Sequence, residues 1–197
     1  MFGKRWTLFK LFGFEVRIDV SWILLALLIT FTLATGFFPN FYANWLDVEP
    51  PAKWTFWIMG VFGAVGLFLS IIFHEMCHSL VARTHGMPME GITLFIFGGV
   101  AEMDEEPPTA KSEFLMAIAG PISSVVMGVV FGALWWSAAR FNWPTSFLTV
   151  FAYLSIVNVL LAGFNMMPAF PLDGGRVIRS ALWMWKKDIR WATRIAS

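Results

Sequence analysis

The stretch from about Trp54 to Ala82 is predominantly apolar and long enough to cross a bilayer, yet it carries His74-Glu75-Met76-Cys77-His78 in its last third. Titratable groups inside such a helix are costly and mark function by default. At helical spacing, residues four apart share a face one turn apart, so both imidazoles can reach one metal ion. Glu75 can stand beside a metal-bound water without being a ligand. This is the H-E-x-x-H pattern, two His ligands and a Glu general base. The alternative is a polar pair satisfied inside a helix bundle, and a third ligand decides between the two.

Composition places that helix in a membrane protein. Of 197 residues, 58% are hydrophobic and only 14% are charged, against about 25% charged in soluble domains. The net charge of +1 indicates neither nucleic acid nor a polyanionic partner. A single cysteine, Cys77, excludes an intramolecular disulfide and a Cys-rich zinc site.

Along the chain, Phe14, Val16, Ile18 and Val20 alternate with Glu15, Arg17 and Asp19, the period of a half-buried strand. Four spans follow, at approximately 20–38, 54–82, 114–139 and 146–166. The segment 84–112 is Gly-rich, Pro-rich and acidic, and its apolar run Ile92 to Phe97 is too short to span. It reads as a strand pair or re-entrant hairpin closed by Gly98-Gly99. Gly120, Ser124, Gly128 and Gly132 recur every four residues and read as a packing stripe. The tail 175–197, basic and Trp-containing, suits an interfacial helix. The expected fold is thus an all-α polytopic membrane protein, residues 1–197 forming one membrane-embedded domain with a small β element.

Basic residues set the expected topology. Lys4, Arg5, Lys10 and Arg17 precede the first span, and Arg176, Arg179, Lys186, Lys187, Arg190 and Arg194 follow the fourth. The loops 39–53 and 140–145 carry only Lys53 and Arg140. Both termini are therefore expected in the cytoplasm of a multi-pass protein of the cell (plasma or inner) membrane. Five residues, about 7.5 Å of helix, separate His78 from Arg83, so the pentad lies toward the cytoplasmic face.

Catalytic zinc needs three protein ligands and an open position. His85 lies two turns beyond His78, too far along a continuing helix to share a site. Asp173 follows the fourth span after Pro168 and Pro171 and leaves the membrane on the pentad's side. It can cap the next helix or supply the third ligand.

His74 to His78, Phe97-Gly98-Gly99, Ala119-Gly120-Pro121 and Asn165 through Arg176 together make most of the chain resemble the site-2 proteases, intramembrane zinc metalloproteases. Pairing H-E-x-x-H with Leu172-Asp173-Gly174-Gly175 about 95 residues later is a specific combination. The resemblance implies that His74, His78 and Asp173 bind one Zn2+ per chain and that Glu75 is the general base. It also implies that Asn165 sits at the active site as a candidate oxyanion donor. Family members commonly carry further transmembrane segments, so this chain is expected to be truncated before them or to be a minimal member.

The expected function is hydrolysis of a peptide bond in or near a transmembrane segment of a membrane-protein substrate, as in regulated intramembrane proteolysis, by a zinc water that Glu75 activates. Ile96, Phe97, Gly98 and Gly99 are the candidate substrate-binding residues, since a strand edge there can pair with an unwound peptide. Two other classes compete. A soluble-substrate or prenyl-peptide zinc protease in the membrane would more often use a Glu on a later helix as third ligand. A non-proteolytic zinc-binding membrane protein, transporter or inactive chaperone-like, would spread its polar groups or lack one of the four key residues.

Overall fold

Among the described residues, four helices are long and apolar enough to cross a membrane, spanning Ser21–Trp45, Lys53–Thr84, Ala110–Arg140 and Thr145–Asn165. The computed structural model describes residues 5–11, 13–87, 89–95, 98–103 and 107–196. Among them the elements are β1 (Arg5–Leu11), β2 (Phe14–Asp19), α1 (Val20–Thr32), α2 (Phe38–Trp45), α3 (Lys53–Thr84), β3 (Met89–Phe95), β4 (Gly98–Met103), α4 (Ala110–Arg140), α5 (Thr145–Asn165), α6 (Asp173–Lys186) and α7 (Ile189–Ala196). Large side chains such as Leu24, Leu27, Phe62, Val129 and Leu160 are more than half exposed, as lipid-facing residues are.

The first span runs past the expected end at Phe38. Pro39 has no N–H to give to the carbonyl four residues back, and its ring crowds that carbonyl. The chain passes it through a π turn at Leu33–Phe37, in which the Phe38 N–H reaches back to the Leu33 carbonyl. The helix then continues as α2 to Trp45. Leu33, Phe38 and Tyr42 pack there with Phe56 and Met59 of α3 and Val150 and Leu154 of α5.

The β element is larger than a lone strand plus a hairpin. Its four strands lie in the order β1-β2-β3-β4, with antiparallel outer pairs and a parallel centre in which Glu15 faces Gly91 and Ile18 faces Leu94. Gly13, at φ +86°, provides the left-handed turn between β1 and β2. Asp19 ends β2 and caps α1, its side chain accepting from the Ser21 N–H at 2.9 Å. Because α1–α2 and α3 form an antiparallel pair, the start of the first and the end of the second share a side. That places β2 beside β3.

The alternation in β2 then matters for the site. Phe14, Val16 and Ile18 are 1%, 1% and 6% exposed. Val16 and Ile18 pack on Ile72 and Met76 of α3, the residues flanking His74. The sheet thus braces the helix turn that carries the pentad.

Candidate metal centre

α3 holds His74 and His78 on one face, their rings edge to face with centroids 4.7 Å apart. Asp173 arrives from α6. Its helix is capped by the extended backbone of Leu172 with no side-chain cap, so the carboxylate is not used for capping. It turns instead to the histidines. His74 Nε2 and His78 Nε2 each lie 3.1 Å from Asp173 Oδ2 and 3.1 Å from each other. These three residues form the one such cluster among the described residues. Burial pushes the Asp173 carboxyl up, but hydrogen bonds to both imidazoles and their charge outweigh it and hold it down at about 2. A carboxylate kept ionised is what a metal ligand requires.

The outer edges of both rings are held by α4. His78 Nδ1 is 2.7 Å from the Met116 carbonyl, which can only accept, so Nδ1 carries a proton and Nε2 is the ring nitrogen turned to the cluster, the one that could give a lone pair to a metal. His74 Nδ1 lies 2.8 Å from Ser124 Oγ. Between them, Gly120 brings bare backbone up to the rings, and a Cβ there would collide with Nε2 of both histidines. The small-residue stripe is therefore divided in role. Gly128 and Gly132 admit α5, with Ser155 Oγ donating to the Gly128 carbonyl at 2.8 Å, as a packing stripe does. Gly120 and Ser124 shape the site. Sequence periodicity gives both halves the same signature.

Glu75 is half-buried on the next position of the helix and lies within electrostatic reach of His78, His74, Asp173 and Arg176. Asn165 ends α5, half-buried, and spends one N–H of its amide on the Leu161 carbonyl at 2.9 Å, which leaves the other. His85 caps α3 well away from the cluster, with Nδ1 2.9 Å from the Val81 carbonyl. Gly98 and Gly99 open β4, an edge strand of the sheet. Ile96 and Phe97 lie outside the described residues.

The donor set fits zinc. Two imidazole nitrogens and one carboxylate oxygen match a catalytic zinc site. Tetrahedral bonds of ~2.0–2.1 Å set ligand atoms roughly 3.3 Å apart, close to the observed 3.1 Å.

Known proteins point the same way. The sequence model of peptidase family M50 matches residues 62–147 and 137–195. Rip3 of Mycobacterium tuberculosis is 38% identical over 174 residues, covering 88% of this chain and 42% of that protein. Zinc metalloprotease MJ0392 of Methanocaldococcus jannaschii is 40% identical over 116 residues, 59% of this chain and 33% of that protein. A solved site-2 protease from Methanocaldococcus jannaschii superposes with a TM-score of 0.63 at 31% identity, over 98% of this chain and 78% of that one. The chain spans about two fifths of the length of Rip3.

Proposed function

The chain belongs to peptidase family M50, and from that premise we propose that it is the core of an intramembrane zinc metalloprotease. His74, His78 and Asp173 hold one zinc ion, and Glu75 acts as general acid–base. The substrate is a transmembrane segment of another protein. The observation that carries the reading is the meeting of His74 Nε2, His78 Nε2 and Asp173 Oδ2 from two separate helices, all 3.1 Å apart.

Zinc, when bound, acidifies a coordinated water and polarises the scissile carbonyl. Glu75 takes a proton from the water as its oxygen adds to the carbonyl carbon. It passes that proton to the amide nitrogen as the C–N bond breaks, leaving a carboxylic acid and an amine. The Asn165 amide offers its spare N–H to the oxygen on which charge develops. Asp173 is 15% exposed at its side chain and Glu75 is half-buried, so water enters beside α6. On the positive-inside argument this side is cytoplasmic.

A helical substrate must unwind before attack, and its freed N–H and C=O groups then need partners. The edge of β4 at Gly98 and Gly99 supplies them by strand addition. The test is incubation of the purified protein with membrane-anchored candidates, with products mapped by mass spectrometry. Cuts inside or at the border of a transmembrane segment, abolished by chelation, support the reading. Products insensitive to chelation refute it.

A further inference from the structure

The three proposed ligands come from two helices that have no extensive packing on one another. α3 carries the histidines, whereas α6, which begins at Asp173, packs mainly on α4 and α7. Something must set α6 at the distance and rotation that bring Asp173 Oδ2 to the imidazoles.

The candidate lies in the first turn of α4. Glu113 is completely buried. Its Oε1 accepts from Nε of Arg179 on α6 at 2.7 Å and from Nη2 of the same guanidinium. Arg179 also lies over the Phe170 ring, 5.5 Å from its centre, in the connection leading to Asp173. Glu113 Oε2 has no hydrogen-bond partner among the described residues.

A buried ion pair with an unsatisfied oxygen is a poor device for stability alone. An apolar pair of similar volume serves a core as well or better, and ionic pairs are best attested as fixing register. The guanidinium's planar fork fixes orientation as well as distance.

The position of Glu113 on α4 gives the register meaning. Glu113, Met116, Gly120 and Ser124 follow at intervals of three and four and so share one helix face. From one end to the other that face grips Arg179, the Nδ1 edge of His78, the tips of both imidazoles and the Nδ1 edge of His74. One helix is therefore the common reference for all three ligands.

We propose that the Glu113–Arg179 ion pair is a positioning element for the metal centre, holding α6 in the register that places Asp173 against His74 and His78. This rests on the zinc-site reading and goes beyond it in assigning two residues that touch neither metal nor substrate.

The test compares the unaltered chain with Glu113→Gln and with the double variant Glu113→Met/Arg179→Met, which leaves no unpaired charge if the single variant does not fold. Zinc affinity is read by chelator competition, ligand geometry by the visible spectrum of the cobalt(II)-loaded protein, and the fold by metal-free melting. The expected result is zinc binding weakened by about 10–100-fold, the scale of outer-sphere partners. The cobalt bands should shift while the metal-free melting temperature holds. Unchanged affinity and bands in the double variant overturn the proposal. So does a loss of affinity that merely tracks lost metal-free stability with the cobalt spectrum unaltered, since a purely structural pair gives that. His74→Ala separates the two levels. If it binds zinc like the unaltered chain, the metal-site reading itself falls. If it loses zinc while the double variant keeps it, only the positioning role falls.

Discussion

Ser124 Oγ lies 2.8 Å from His74 Nδ1, four residues along α4 from the glycine that lies against both histidines. A helix otherwise read as a packing surface thus orients a proposed ligand. A ligand imidazole held at its second nitrogen keeps its tautomer and ring plane, and loss of such a partner typically costs about 10–100-fold in metal affinity. Ser124→Ala should show that drop with the fold intact, whereas Gly120→Ala places a methyl among the Nε2 atoms and should abolish tight zinc binding. Metal titration of both variants checks this. Wild-type affinity in Gly120→Ala would remove the histidines from the centre.

Asp173 is the ligand that separates a three-residue site from a histidine pair. Asp173→Ala should lose zinc to chelators far more readily than the unaltered chain. It should keep its helices, because Leu172 backbone rather than the Asp173 side chain starts α6. Zinc content and circular dichroism on the same sample give both readouts. Undiminished zinc content would require another third ligand.

Asn165 gives a kinetic signature. A donor that acts only on the developing oxyanion lowers kcat and leaves KM nearly unchanged. Asn165→Ala should reduce kcat by about 10²–10³-fold, the range for loss of one such donor. Because its other N–H bonds the Leu161 carbonyl within α5, the protein should stay folded and zinc-loaded. Normal turnover would take Asn165 out of the mechanism.

The outer edge of β4 is tested by proline scanning. Neighbouring strand residues send their N–H groups alternately toward the partner and outward, and proline removes the donor. Of Gly99→Pro and Val100→Pro, one should cripple cleavage while leaving zinc content and melting nearly unaltered, and the other should disturb the β3–β4 pairing. If both cleave normally, substrate is held elsewhere.

The parts of this fold that are legible in the sequence are those with a local signal. The pentad and the alternation of Phe14, Val16 and Ile18 have the periods of a helix face and a strand face, and both elements form as those periods dictate. Four apolar stretches become four membrane-length helices. Asp173 needs more: its neighbourhood allows a cap or a ligand, and only topology together with the family motif favours the second. Pairing of β2 with β3 has no local signal, because it depends on where α1 and α3 return the chain. Pro39 reads as a stop, but a π turn absorbs it. Glu113 and Arg179 stand 66 residues apart, and neither residue by itself distinguishes a buried partner from a solvated charge.

The central claim is that Glu75 performs the proton transfers of peptide hydrolysis beside a zinc ion held by other residues. Glu75→Gln keeps the shape and removes the base, without touching His74, His78 or Asp173. The decisive measurement is cleavage of a membrane-anchored substrate by Glu75→Gln protein first verified to carry zinc at the wild-type level. The account predicts no product above the chelated control. Cleavage at the wild-type rate by that zinc-loaded variant would contradict it.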